Sequence, residues 1–236
     1  MKTNSIFKRK FILPACIIGL ASLLSSCLKD TGSDYSPPVS LVSFFQASPD
    51  QTSLSLYLNN NKVNVGPIAY GTGLDYFRAY SGLRNVNVNT YGVNNQVFTD
   101  TVTLKPDQIY SLFLTNKANQ SELVVLKDTI TQPQPNTASV RFIDLSPDAP
   151  NVDLVLNNDP TVTNKTYKGF SKFLPVTGNS VYSIQVKQAG TNTVLATLDN
   201  ITFSSNRVYT IIFAGRLAGA TPADQPAIFY VTNAYY

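Results

Sequence analysis

The chain has 236 residues, 43% of them apolar and only 14% charged, with neither histidine nor tryptophan. That length suits one or two domains, and the missing histidine excludes a Ser-His-Asp triad, a Cys-His pair and the usual zinc ligand sets. The formal charge of +4 comes from Lys2, Lys8, Arg9 and Lys10; the other 14 basic residues face 14 acidic ones, so a basic nucleic-acid-binding surface has no support.

The four leading cations precede an apolar run at 11–24. Its 14 residues fall short of the roughly 20 that span a bilayer as a helix and fit a secretory leader. The run ends in Leu24-Ser25-Ser26-Cys27, which resembles a bacterial lipobox, with small residues where a signal peptidase needs them. Residues 1–26 are therefore expected as a lipoprotein signal peptide in helical form, with Cys27 as the lipidated residue. Cys16 would leave with the leader, so no internal disulfide is expected. Leu28 rather than Asp follows the cysteine, which by resemblance to the sorting rule points to the outer membrane. Both its surface and its periplasmic face are compatible with this signal. Residues 27–38 are polar, end in Pro37-Pro38 and read as a flexible tether.

From residue 39 the pattern is that of short strands. Candidate strands cover 41–47, 54–58, 76–80, 86–90, 97–104, 109–115 and 123–126. Leu54, Leu56 and Leu58 alternate with polar or amphipathic residues, as a half-buried strand does. Ser48-Pro49-Asp50, Asn59-Asn60-Asn61 and Gly71-Thr72-Gly73 mark turns. Residues 131–137, with Pro133 and Pro135, read as a semi-rigid extended linker. After it the chain repeats itself. Pro147 follows Pro49 by 98 residues, Leu156 follows Leu58 by 98, Tyr167 follows Tyr70 by 97 and Tyr209 follows Tyr110 by 99. Near-constant offsets with single-residue slips indicate an internal duplication. Its strands are expected over 140–145, 152–157, 166–170, 172–176, 182–188, 194–198, 208–214 and 228–232, with a long irregular loop over 217–226. The domain plan is thus repeat 1 over 39–130, the linker over 131–137 and repeat 2 over 138–236.

Strands this short with turn signals every 8–12 residues predict an all-β chain: two tandem immunoglobulin-like, fibronectin-type-like antiparallel β-sandwich domains. Tyr110 after Lys105-Pro106-Asp107 and Tyr209 after Ser204-Ser205-Asn206 resemble a tyrosine corner, in which the phenol bonds back to the backbone just upstream. The run Ser146-Pro147-Asp148-Ala149-Pro150-Asn151-Val152-Asp153 between two strands, with Tyr70-Gly71 at a corner, resembles the domain of unknown function 4397 family. The resemblance covers both repeats, more weakly in the first, and implies an exported bacterial protein without implying an activity.

The candidate chemistry is sparse. Asp144, Asp148 and Asp153 crowd the signature turn and are the candidates for a calcium site. The competing reading is that Asp148 caps its own turn and Asp153 faces solvent. Tyr76, Tyr80, Tyr91, Tyr235 and Tyr236 are candidates for an aromatic binding platform, against the ordinary role of strand aromatics in cores. Thr101 and Thr129, each after an aspartate, resemble bacterial O-glycosylation signals. Glu122 is the sole glutamate, and nothing pairs carboxylates for glycoside hydrolysis. The expectation is a non-enzymatic outer-envelope lipoprotein without cofactors. It would adhere to or bind a protein or glycan ligand and meet the membrane through lipid on Cys27. The alternatives are a structural or assembly partner in the periplasm and a hydrolase.

Overall fold

The computed structural model describes residues 37–51, 53–218, 221 and 223–236. The expected leader, Cys27 and the tether up to residue 36 lie outside them. Repeat 1 supplies β1 (Val39–Gln46), β2 (Leu54–Leu58), β3 (Asn61–Lys62), β4 (Gly73–Tyr80), β5 (Gly82–Thr90), β6 (Gln96–Leu104), β7 (Ile109–Thr115) and β8 (Glu122–Lys127). Repeat 2 supplies β9 (Thr137–Asp144), β10 (Val152–Leu156), β11 (Asp159–Lys165), β12 (Leu174–Thr177), β13 (Ser180–Gln188), β14 (Val194–Phe203), β15 (Arg207–Ala214) and β16 (Ala227–Tyr235).

Both repeats have the same topology. One sheet runs β4-β1-β7-β8 and the other β3-β2-β5-β6; in repeat 2 the orders are β12-β9-β15-β16 and β11-β10-β13-β14. The pairings are antiparallel except β1 with β7 and β9 with β15. The described residues are therefore nearly all β and sandwich-like, with one parallel ladder per repeat. Period-two patterning builds each interior. In repeat 1, Val42 and Phe44 of β1 meet Leu54 and Leu56 of β2 and Val86 and Val88 of β5. In repeat 2, Val140 and Phe142 meet Leu154, Ile184, Val186 and Ile211. A large aliphatic or aromatic side chain buried this way contributes about 1.5–3 kcal/mol relative to exposure.

Asparagine does much of the turning. Of eleven described non-glycine residues with positive φ, nine are Asn, the residue type best suited to that region after glycine. Asn157 (φ 50°) and Asn158 (φ 69°) make the two-residue turn between β10 and β11, as a type I′ hairpin requires. This explains why the polar share of the sequence is rich in amides and poor in charge.

The tyrosine corners form in both repeats. The Lys105 N–H donates to Tyr110 Oη at 3.1 Å, and the Ser204 N–H donates to Tyr209 Oη at 3.0 Å. Each phenol satisfies a backbone donor on the bend ahead of β7 or β15. Tyr209→Phe is expected to remove that acceptor and lower stability by about 1 kcal/mol, read as a shift in the urea midpoint at constant slope.

Two strand expectations fail locally. Residues 166–170 form a corner, not a strand: Lys168 takes φ 65° and only Phe170 bridges back, to Ile143. This corner matches Tyr70-Gly71, where Gly71 has φ 76°. Conversely, β11 was hidden by Asp159-Pro160 and Asn164. Proline is tolerated there because β11 is an edge strand.

β7 and β15 are buried on both faces, and the reason lies between the repeats. Phe45, Phe113, Val124 and Leu126 of repeat 1 pack with Ile143, Leu145, Ile212 and Ala214 of repeat 2 in a third core. The sheet containing β1 thus lies against the sheet containing β9, and four sheets stack as layers. The contact uses like surfaces. Glu122 of β8 meets Lys168 at the corner ahead of β12, while Phe229 of β16 meets Tyr70 at the corner ahead of β4, edge-on at 5.3 Å. Gly71 lies directly under the Phe229 ring, with no room for a Cβ.

Candidate functional site

The signature turn explains itself once the strands are in place. Ser48 Oγ donates to the Asn116 carbonyl at 2.6 Å, and Asp50 Oδ1 accepts the Ala118 N–H at 2.8 Å. In repeat 2, Ser146 Oγ donates to the Gly215 carbonyl, and Asp148 accepts the N–H groups of Leu217 and Ala218, all at 2.9 Å. The Ser-Pro-Asp turn is therefore a clasp that ties the β1–β2 or β9–β10 corner to the loop ahead of β8 or β16. Asp148 caps that distant loop and not its own turn, and the start of the 217–226 loop is held by it. Asp50 also lies 3.7 Å from Arg216 across the repeats.

The three aspartates of the signature do not converge. Asp153 accepts the N–H of Asn164 at 2.7 Å and of Gly190 at 3.1 Å. Asp144 is fully buried, and one carboxylate oxygen accepts the Ser146 N–H at 2.9 Å. Its other oxygen has no partner among the described residues. Burial raises its pKa to about 7, with the Ser146 N–H pulling the other way. Among the described residues no group of three or more acidic, histidine or cysteine side chains could hold a metal ion.

The repeat contact holds a buried polar network. Arg141 pairs with Asp128, both within the interior. Arg141 also donates to Thr210 Oγ1 at 2.8 Å and Ser111 Oγ at 3.0 Å and stacks on Phe173, 4.8 Å from the ring centre. Ser111 and Tyr76 donate to the second oxygen of Asp128. Asn233 completes the ring: its amide donates to Tyr76 Oη at 2.9 Å and accepts from Thr210 at 2.6 Å. Burial, then the charge of Asp128, pushes the Tyr76 phenol up to about 12. Asp128 accepts three hydrogen bonds and Arg141 donates three, so the network fixes the two repeats against each other. Tyr76 is consumed by it and is not available as a platform.

The other predicted aromatics lie apart. Tyr235 and Tyr236 are exposed at the chain end, Tyr235 under the Arg207 guanidinium at 4.7 Å. Thr101 is exposed on β6, and Thr129 is exposed beside the buried Asp128. Tyr80, 58% exposed, lines a groove of about 350 Å³ at the open side of repeat 1, between β3 of one sheet and β4 of the other. Lys62, Arg78, Arg84, Asn59, Asn61 and Phe77 share the lining. Local hydrogen bonding shapes it. Asn64 substitutes its amide for strand backbone, accepting from the Leu56 N–H at 2.7 Å and donating to the Leu54 carbonyl at 3.1 Å. β3 can thus stop after two residues and leave the groove open. Tyr91 borders the same end, with Lys62 Nζ 4.6 Å from its ring centre. The equivalent groove of repeat 2, lined by Asn157, Asp159, Thr161 and Tyr182, has no lysine or arginine in its lining.

Sequence reasoning missed Lys62, Arg78 and Arg84, whose grouping depends on two strands from different sheets. The one linear hint was the Asn59-Asn60-Asn61-Lys62 turn.

The solved structures that resemble this chain include two carbohydrate-binding modules. One is a family 26 module from Eubacterium rectale in complex with maltoheptaose: 9% identity, 83% of this chain and 97% of that one, TM-score 0.27. Another is a family 41 module from a streptococcal virulence factor, in a structure of alpha-glucan recognition: 9% identity, 80% and 96% covered, TM-score 0.26. A third structure, from a streptococcal virulence factor that binds alpha-glucan, has 11% identity, 80% and 96% covered and TM-score 0.25. No curated protein matches. The family described as domain of unknown function (DUF4397) matches residues 40–155 and again 140–229. This chain therefore belongs to the domain of unknown function 4397 family and carries that domain twice.

Proposed function

We propose that the chain is a non-enzymatic, lipid-anchored protein of the bacterial outer envelope that binds a saccharide ligand. The observation that carries the ligand reading is the repeat 1 groove, where an exposed tyrosine, two asparagine amides and three cations line one opening. Aromatic faces with a few convergent polar groups are what small-ligand sites are built from. The groove's lining has neither the paired carboxylates nor the Ser-His or Cys-His pair that hydrolysis uses, which supports recognition.

The anchor reading rests on the lipobox-like Leu24-Ser25-Ser26-Cys27 after the apolar run. Acyl chains on Cys27 would supply the stable attachment that one chain alone does not. Cys27→Ala is expected to move the protein from the membrane fraction to the soluble fraction of the producing cells. Continued sedimentation with membranes would remove the anchor from the reading. Protease treatment of intact cells then distinguishes the surface from the periplasmic side. For the ligand, the Cys27→Ala chain is screened on a glycan array; a blank array rejects the saccharide reading and leaves the anchor untouched.

A further inference from the structure

We infer that the repeat 1 groove takes a saccharide bearing carboxylates, of the uronic-acid class. This rests on the saccharide reading and narrows it to one groove and one ligand chemistry. The molecule carries its own control. The two repeats share one topology, and each has a groove between the same two edge strands. Only the first has Lys62, Arg78 and Arg84 in its lining; the second has Asp159 and no cation. The fold does not require those cations, since repeat 2 forms without them.

The cations are arranged rather than scattered. Arg84 Nε donates to the Tyr80 carbonyl at 2.7 Å, and Nη2 donates to the Ser81 carbonyl. Two of the five guanidinium donors are thereby used to hold its plane at the β4–β5 turn. A fixed guanidinium loses little freedom on meeting a carboxylate and suits it geometrically. Lys62 is steadied over Tyr91, and Arg78 is exposed on β4. No carboxylate lines the groove to neutralise them. Their combined field favours an anion, more so inside a cleft than on a flat surface.

The same contacts argue against an acidic peptide added as a strand. Strand addition needs a row of vacant backbone groups on a sheet edge. Here β3 is two residues long, and at the end of β4 that lines the groove the Tyr80 carbonyl already accepts from Arg84. What the groove offers is side chains: an exposed phenol ring, the Asn61 amide, and the Nδ2 donor of Asn59, whose Oδ1 accepts the Asn85 N–H at 3.0 Å.

The test is calorimetric titration of the full Cys27→Ala chain with four probes: tri-galacturonic acid, the uncharged galactose trimer, poly-glutamate and inorganic phosphate. Tri-galacturonic acid is expected to bind best. Lys62→Gln and Arg78→Gln should each weaken it roughly tenfold, the size of one charge-assisted hydrogen bond, and added salt should weaken it further. Both residues are exposed, so the variants are expected to keep the parent's urea midpoint. Binding that is unchanged in both variants overturns the groove assignment. Equal binding of the uncharged trimer overturns the carboxylate inference while leaving the saccharide reading in place. Equal binding of poly-glutamate or of phosphate overturns the sugar-acid assignment in favour of a general anion site. Failure of both trimers to bind overturns the inference, and a blank glycan array beside it rejects the saccharide reading as well.

Discussion

Arg141→Met is expected to lower the stability of the chain by about 3–5 kcal/mol, the cost of leaving a buried partner charge uncompensated. Arg141 and Asp128 are 3% and 5% exposed. Removing the guanidinium leaves Asp128 with hydroxyl donors only, from Ser111 and Tyr76. It also strips donors from Thr210 and Ser111. Against a total stability of about 5–15 kcal/mol for an ordinary domain, this is a large share. Replacing both charges, as Arg141→Met with Asp128→Leu, is expected to recover most of the loss, because no isolated charge remains. Urea denaturation of the parent, each single variant and the double variant gives the coupling directly. A single-variant loss below about 1 kcal/mol would show that the pair behaves as a solvated surface bridge.

The second large effect is a pH dependence. Asp144 is fully buried, and its pKa is raised to about 7 by desolvation from an ordinary value of 3.8. A carboxyl that holds its proton longer in the folded state favours folding at low pH. Its contribution is fully present below about pH 4 and is lost as pH rises through about 7, at roughly 1.4 kcal/mol per pH unit. Asp144→Asn keeps the acceptor for the Ser146 N–H and removes the charge. The difference in stability between variant and parent is therefore expected to be small at pH 4 and to grow to a few kcal/mol in the variant's favour at pH 8. Taking the difference matters, because Glu122 has the opposite sign: its hydrogen bond to Lys168 lowers its pKa, so its contribution weakens in acid. Parallel pH profiles for the two proteins would sink the assignment. Repeat 1 already uses the neutral solution. Gln46 occupies the equivalent place, accepts the Ser48 N–H at 2.9 Å and donates to the Ser48 carbonyl at 3.0 Å.

What could be read from the sequence was local and periodic. The alternation of Leu54, Leu56 and Leu58, the asparagine turns and the spacing of Tyr110 and Tyr209 to their corners are all written within a few residues. The clasp of Asp148 on Leu217 and Ala218 spans about 70 positions, and nothing in the linear pattern names its partner. The face-to-face packing of the repeats did leave a trace. Ile109–Thr115 and Arg207–Ala214 place large apolar residues on both faces, whereas the outer strand of an isolated sandwich alternates with polar ones. The groove left less. Lys62, Arg78 and Arg84 look like ordinary surface charges until two sheet edges bring them to one opening. The aromatic candidates show the same limit: Tyr76 and Tyr80 are four residues apart on β4, yet one closes a buried network and the other lines the groove.

The like-on-like contact between the repeats makes the molecule a two-subunit assembly folded from one polypeptide. Corresponding surfaces meet, as they do across the axis of a symmetric homodimer, but residues 128–136 join the partners covalently. Association then carries no concentration dependence, since each half sees the other at a high, fixed effective concentration. A half expressed alone would expose Phe45 and Phe113, or Ile143 and Ile212, as an apolar face fit for self-pairing. Joining them also lifts the constraint that both halves be identical. Each groove can follow its own chemistry while the shared interface stays intact, and the cations of one groove beside the carboxylate of the other are the visible outcome.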